Sequence, residues 1–367
     1  MAGKFERKRF SEINLDDPFF DSLKADYPGT SSSTGFVKWF AAKAADGKRA
    51  LIFEDDQGVG AFVNLKPNEA EEINLANGSV LPKTARLKIT TIKIDKRYRN
   101  QRIGEGALGL TLWQWRDLGI NEIYVTVFDK HISLILLLEK YGFIHVGNNL
   151  NGERVYIKDR RNLDFSDPCK SFPFLSDQVQ HAGCLAIDME YHDTMFASSD
   201  LANTLQERVD ISVANGLKKV YIGKPYSLAF KVGEPVLVYR KYTGTGGRPG
   251  YKSVITTYCV ATRIEKITVN GRAQYSYDQF LRMVGNKSVY NEDELKEKYD
   301  TWASLTLIEL LYYGYFGAGN NVNWMWLKSN DCWPGTHPMN FRYTRSQFEK
   351  ILREGKVDVG NVIINYA

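Results

Sequence analysis

The chain has 367 residues, 43% of them hydrophobic and 13% aromatic, enough apolar matter for two domain cores at roughly 100–200 residues per domain and too much for wholesale disorder. Its 48 Lys and Arg against 43 Asp and Glu leave a net charge of +5, which is compatible with nucleic acid without pointing to it. Cysteines at 169, 184, 259 and 332 form no C-x-x-C pair, which argues against a cysteine zinc site or a disulfide framework and fits free thiols in a reducing cytoplasm.

The opening residues, MAGKFERKRF, hold no apolar run of the kind a secretory signal needs. The longest apolar stretch, 132–138, falls far short of the roughly 20 residues that span a bilayer. The expected location is therefore the cytoplasm, with no membrane partner. Residues 19–28 and 35–45 read as helices, the second with Phe36, Phe40 and Ala44 at helical spacing. Runs 49–54 and 58–66 read as strands joined by the turn Asp55-Asp56-Gln57-Gly58. Residues 85–94 (ARLKITTIKI) alternate and are rich in β-branched side chains, so they predict a long strand. Residues 103–118 read as a helix and 121–128 as a strand buried on both faces. Residues 131–141 read as a short apolar helix closed by Gly142, and 143–146 and 154–158 as strands.

From 159 to 180 the texture changes to DRRNLDFSDPCKSFPFLSDQVQ. Pro168 and Pro173 and the mixed charge read as a linker. The expected organisation is a first domain at 1–158, the linker at 159–180 and a second domain at 181–367. In the second half, 216–222, 235–239, 252–263 and 264–269 predict strands. Residues 294–311 and 346–353 predict helices, and 332–339 is irregular.

The most informative segment is KITTIKIDKRYRNQRIGEGAL, Lys88 to Leu108. A strand ends, a basic loop turns, and a helix opens at Ile103 with Gly104 and Gly106 in its first turn. The first amides of a helix lack intrahelical partners and its dipole favours an anion there. From Arg86 through Arg102 there are seven basic residues and one acid, Asp95. These features suit a pyrophosphate.

This segment resembles motif A of the GNAT N-acetyltransferase superfamily, in which Gln or Arg is followed by two residues, Gly, one residue, then Gly or Ala; Gln101, Gly104 and Gly106 fill it. The run HISLILLLEKYGFIHVG resembles the family's closing helix and strand through Glu139, Lys140, Tyr141, Gly142 and Phe143. The resemblance covers roughly 10–158. It implies a mixed sheet flanked by helices, acetyl-CoA as cofactor, and direct attack by an acceptor amine. It also implies that backbone amides of Arg99, Asn100, Gln101, Arg102, Ile103, Gly104, Glu105, Gly106 and Ala107 hold the pyrophosphate. Ile92, Lys93 and Ile94 would hold the pantetheine arm and polarise the thioester carbonyl. One position departs from the family: where a Tyr usually protonates the leaving thiolate, this chain has Leu138. Tyr141 and His131 are the nearby catalytic candidates, neither matching the motif, and each has a structural alternative as a packing aromatic or a helix-start residue.

Between 231 and 272, eight basic side chains stand against Glu234 and Glu265. Tyr242 and Tyr251 lie among Arg240, Lys241, Arg248 and Lys252, a set suited to phosphates and unpaired bases. The glycine-rich 244–250 lacks the Lys-Ser/Thr ending of an NTP loop. The runs GEPVLVYR and SVITTYCVATRIEKI resemble the small β-barrels of the PUA-like group, which includes ASCH and EVE domains, with Glu234 and Cys259 departing from the common residues. That resemblance covers roughly 180–350 and implies an RNA-binding second domain. His181, His192 and His337 are scattered, and no metal site is expected. The fold class expected is α/β (α+β). The expected function is acetyl-CoA-dependent N-acetylation of a primary amine, with aminoacyl-tRNA the preferred acceptor and a toxin-like role that would call for a protein antitoxin or regulator. A protein or small-molecule acetyltransferase, or a non-catalytic acyl-CoA-binding regulator, are the alternatives.

Overall fold

A strand hidden by its charges opens the chain: β1, Lys4–Arg9 (KFERKR), pairs antiparallel with β2, Arg49–Asp55. Phe5 on it meets Phe53 edge-on at 5.4 Å. The computed structural model describes residues 4–30, 34–197, 199, 212–224, 228–333, 335 and 337–365. They divide into two compact units. The first comprises Met1–Thr111, Ile120–Glu139 and Phe143–Asp159, and the second Leu112–Gly119, Lys140–Gly142 and Arg160–Ala367.

In the first unit, two short helices follow β1, α1 at Asp21–Asp26 and α2 at Phe36–Ala45. The strands after β2 are β3 at Gly58–Glu69 and β4 at Arg86–Ile94. Then come α3 (Ile103–Leu118, counted with the second unit from Leu112 on), β5 (Glu122–Val127), α4 (Ile132–Lys140, its last residue counted with the second unit), β6 (Ile144–Asn148) and β7 (Arg154–Asp159). The seven strands run in the order β1-β2-β3-β4-β5-β7-β6, antiparallel except for β4 with β5. Phe36 and Phe40, one turn apart on α2, are buried with Phe10, Phe20 and Phe62. Their edge-on pairs, such as Phe10–Phe40 at 4.9 Å and Phe20–Phe62 at 5.4 Å, add about 0.5–1.5 kcal/mol each beyond burial. On α3, Ile103, Ala107, Leu108, Leu112 and Trp115 are all fully buried, the 3.6-residue stripe that holds this helix in place.

The second unit carries β8 (His181–Asp188), α5 (Met189–Met195), β9 (Lys218–Gly223), β10 (Pro235–Lys241) and β11 (Val254–Val269). These are followed by α6 (Tyr277–Val284), α7 (Glu292–Thr301), β12 (Leu305–Tyr315), α8 (Trp324–Ser329), β13 (Tyr343–Thr344) and α9 (Arg345–Glu354). Its main sheet runs β9-β12-β11-β10-β8-β13, with β8 and β10 parallel. Three register shifts along β11 against β12 bend this long strand. Among the described residues no pairing joins β9 to β13, so the hydrogen-bonded path has two ends. The mixed α/β class expected from the sequence is the one found.

Several expectations are corrected. The predicted helix at 294–311 is two elements. Helix α7 is capped by Asn291 through Glu294 N–H and ends at Thr301; then β12 begins. The run LTLIELLYYG is buried on every side, and such a strand shows no period to separate it from a buried helix. The strands predicted at 252–263 and 264–269 are one, β11. The stretch read as a linker is folded. Asp167 caps a helical turn at Pro168–Ser171, Leu175–Ser176 pairs with Ile363–Ile364, and Phe172, Phe174 and Leu175 are buried.

Candidate functional site

The basic loop between β4 and α3 is fixed to the β2–β3 hairpin. Asp95 accepts the Arg97 N–H at 2.8 Å and starts a short 3-10 turn at Lys96–Tyr98. The Arg97 guanidinium donates to Gln57 O at 2.8 Å and Val59 O at 2.9 Å. Tyr98 donates its hydroxyl to Asp55 and meets Phe53 edge-on at 5.2 Å. Gly60 makes room for that ring, because a Cβ there would lie 2.4 Å from it. Asn100 and Arg102 then take positive φ, 65° and 61°, and turn the chain sharply into α3.

The first backward bond onto the turn before α3 runs from Gly106 N–H to Arg102 O, 3.1 Å. Among the described residues, the amides of Ile103 and Gly104 have no backbone acceptor. Arg102 is bidentate to Glu105 at 3.0 and 2.7 Å, and both side chains are nine-tenths buried. One guanidinium nitrogen of Arg102, Nη1, is buried without a partner. The exposed cations at this turn are Lys96, Arg97 and Arg99. Unpaired amides at a helix start favour an anion, and of these cations Arg97 is already engaged with Gln57 O, Val59 O and Asp95.

Beside it the sheet opens. Strands β4 and β5 pair only from Arg86↔Glu122 to Ile89↔Val125. Beyond that point β4 stays on β3 as far as Ala61↔Ile94, while β5 stays on β7 as far as Val127↔Arg154. A bulge marks the parting. Asn64 faces Thr91 and Leu65 faces Ile89, leaving Thr90 as the extra residue. Thr90 Oγ1 accepts from Asn64 Nδ2 at 2.6 Å and donates to Asn64 O at 3.1 Å. Residues 90–94 are half-exposed although they lie in the middle of a seven-stranded sheet. Gly104 is close to this edge, because a Cβ there would lie 3.6 Å from Ile94 and 3.8 Å from Leu137.

Past the ends of β4 and β5 sits a charged cluster. Lys93 donates to Phe19 O and to Ser22 Oγ, the latter at 2.6 Å. Burial lowers its pKa, against Asp95. Asp26, at the end of α1, pairs with Lys130 and lies 3.9 Å from His131 Nε2. The imidazole, 45% exposed, is pushed below the ordinary histidine range first by burial and then by Lys130. Asp26 acts in the opposite sense, and the net shift favours the neutral imidazole, the form that can accept a proton. Tyr27 donates to the buried Glu153 at 3.0 Å and its ring tilts on Phe128 at 5.9 Å.

The structure therefore brings together Ile92, Lys93, Ile94, the 99–107 turn and His131. It adds Asp26, which lies 104 residues before Lys130 and carries no local signal. Tyr141 has the surroundings of a packing aromatic: fully buried, edge-on to Phe172 at 5.8 Å. Leu138 is fully buried too.

In the second unit the predicted nucleic-acid set divides. Arg240 is 5% exposed, and its Nε and Nη2 both go to Asp193, at 2.7 and 2.8 Å. It is a structural ion pair and not a cation presented to a phosphate. Lys241 pairs with Asp188 at 3.1 Å. Lys252 lies over the Tyr242 ring at 4.7 Å and donates to Gly246 O at 2.9 Å. Arg248 and Tyr251 are exposed. His192 is fully buried, with Nδ1 2.9 Å from Asp193 and Nε2 2.7 Å from Thr256 Oγ1. Among the described residues no helix is long and apolar enough to cross a membrane.

No family model matches the chain, and no curated relative does. Solved structures similar to it include an acetyltransferase of the GNAT family from Staphylococcus aureus Mu50, at 17% identity over 43% of this chain and 99% of that one, TM-score 0.31. Another is the PaiA N-acetyltransferase of Thermoplasma acidophilum in complex with coenzyme A, at 13% identity over 43% and 99%, TM-score 0.30. A third is an ASCH protein variant from Zymomonas mobilis, at 10% identity over 47% and 94%, TM-score 0.30.

Proposed function

We propose that the first unit binds an acyl-CoA such as acetyl-CoA and passes its acyl group to a primary amine. The observation that carries this reading is the parting of β4 from β5 after Ile89 and Val125, next to the start of α3. Backbone groups left unpaired inside a sheet call for a hydrogen-bonding partner. An extended chain carrying amides, as pantetheine does, fits such an edge in the manner of an added strand. The Ile103 and Gly104 amides, with Arg99 and the other exposed cations of the turn, suit a pyrophosphate.

The cofactor would supply an acyl thioester, already activated toward nucleophiles. A backbone N–H among Ile92, Lys93 and Ile94 polarises its carbonyl. The acceptor nitrogen forms the new C–N bond and the C–S bond breaks. His131 takes the proton that the nitrogen gives up, and Asp26 stabilises the imidazolium that results. With Leu138 in place of a tyrosine, the thiolate leaves without a side-chain acid at that position. A weak acid–base set suits an α-amine, unperturbed pKa about 7.7–8.0, better than a lysine near 10.4. This supports an aminoacyl ester on tRNA as the acceptor, with the exposed Arg248 and Tyr251 as RNA contacts of the second unit. A toxin-like role restrained by a partner protein is consistent with that substrate.

The buried Leu138 favours a second reading, an acyl-CoA-binding regulator without turnover. Acetyl-CoA labelled on the acetyl group, mixed with the protein and charged tRNA, separates the readings. Base-labile label in RNA is the expected result. Label in protein or small molecules alone removes the tRNA acceptor, and binding without any product leaves the regulator.

A further inference from the structure

A second site lies in the second unit and shares no residue with the acyl-transfer reading. A cavity of about 590 Å³ opens among the ends of β8, β9 and α7 and the segment around His337, within the roughly 300–1,000 Å³ range of small-molecule pockets. Its walls include Tyr191, Tyr221, Tyr290, Met195, Met339 and Ile187. Tyr191 and Tyr290 meet at 5.3 Å, and Met195 and Met339 present thioethers, which pack favourably against aromatic rings.

Two lysines guard the cavity. Lys224 Nζ lies 4.2 Å and Lys298 Nζ 5.3 Å from the centroid of the same ring, Trp302, and Lys298 also stands 4.2 Å over Tyr290. Neither has a carboxylate partner among the described residues, whereas Lys241 in the same wall is paired with Asp188. Both ammonium groups flank one indole, and a ligand with two negative charges complements the pair. The indole orders both side chains without neutralising them. Polar groups for a ring edge are also present: Asp188, His337, Asn340 and the Tyr221 hydroxyl, whose pKa burial raises to about 12, so that it remains a donor.

We propose that this cavity binds a nucleoside 5′-monophosphate as a free small molecule, its phosphate at Lys224 and Lys298 and its base among Tyr191, Tyr221 and Tyr290. A phosphate dianion matches the lysine pair, and a flat polar-edged ring matches the aromatic walls better than an aliphatic chain does. The site uses none of the residues of the acyl-transfer reading and stands or falls separately from it.

The test is calorimetric titration of the full chain with the four common nucleoside 5′-monophosphates, adenosine, ribose 5-phosphate, inorganic phosphate and a 5′-phosphorylated hexanucleotide. The expected result is saturable binding of at least one monophosphate. The double variant Lys224→Ala with Lys298→Ala should weaken it at least about tenfold, since hydrogen bonds to charged groups are lost, with an unchanged melting temperature. Tyr290→Leu should weaken the nucleotide and leave inorganic phosphate unaffected. Any of four results overturns the proposal: no monophosphate binds; binding survives the double lysine variant; ribose 5-phosphate binds as tightly as the nucleotide; or the hexanucleotide alone binds.

Discussion

The main sheet of each unit contains one parallel strand pair, and the two pairs end differently. In the second unit β8 and β10 stay in register for six residues, from Gly183↔Val236 to Asp188↔Lys241, and the last two side chains close the pair with an ion pair. In the first unit β4 and β5 keep company for four residues and then separate, with Thr90 bulged out where they part. A sheet that stays closed can bind only through what its side chains and loops enclose, as around Trp302. A sheet that opens offers its own backbone. The first arrangement selects by shape and charge, the second by the length and amide spacing of an extended ligand.

The largest effect is expected where the closed sheet is most deeply tied. Arg240→Ala leaves Asp193 buried beside His192 without its bidentate partner, which should cost about 3–5 kcal/mol in denaturant unfolding. The Asp193 carboxyl is held well below its ordinary range despite burial, chiefly by Arg240. A group depressed in the folded state stabilises above its unfolded pKa of about 3.9 and loses that contribution as pH falls through its folded value. The Arg240→Ala penalty should therefore shrink in strongly acidic solution. By contrast, Arg248→Ala should leave unfolding unchanged and, if the exposed loop meets RNA, lower the salt slope of RNA binding by about one.

At the open sheet, Gly104→Arg should weaken acetyl-CoA at least about 100-fold, about 2.7 kcal/mol, by filling the start of α3. Gly104→Ala should fold and keep more of the affinity, because its Cβ meets Ile94 and Leu137 at ordinary contact distance. His131→Gln should lower kcat about 100-fold, the smaller end of what a positioned base contributes. Divided by the neutral fraction of the acceptor amine, which itself titrates at about 7.7–8.0, the wild-type rate should be flat through neutral pH and fall on the acid side only below the usual histidine range, because the imidazole is already depressed; the variant should lose that limb. Thr90→Val, which removes two hydrogen bonds to Asn64, should cost about 1 kcal/mol in stability. It should also loosen acetyl-CoA more than it destabilises the fold.

What could be read from the sequence follows the range of the interactions involved. Helix α3 and the loop before it were legible because capping, glycine and charge signals are local to 95–107. Strands β4 and β5 were legible from alternation and continuous apolarity. Their separation was not, because pairing is decided by which strands meet and how far. Arg240 looked like a phosphate contact since its partner, Asp193, lies 47 residues away. Strand β12 resembled a helix because burial on both faces erases the period. Strand β1 was hidden by five charges in six residues. The cavity near Trp302 draws its lining from 186–195, 221–224, Lys241, 289–302 and 337–340, segments that share no motif. Asp26 needed the fold to reach His131.

The most direct measurement is amide hydrogen exchange on the full chain with and without saturating acetyl-CoA. The account predicts new protection at 90–94 and at Ile103 and Gly104, with no change at 183–188 or 236–241. Tight binding that leaves 90–94 unprotected, or no binding at all, would contradict the reading of the opened sheet as an acyl-CoA cleft.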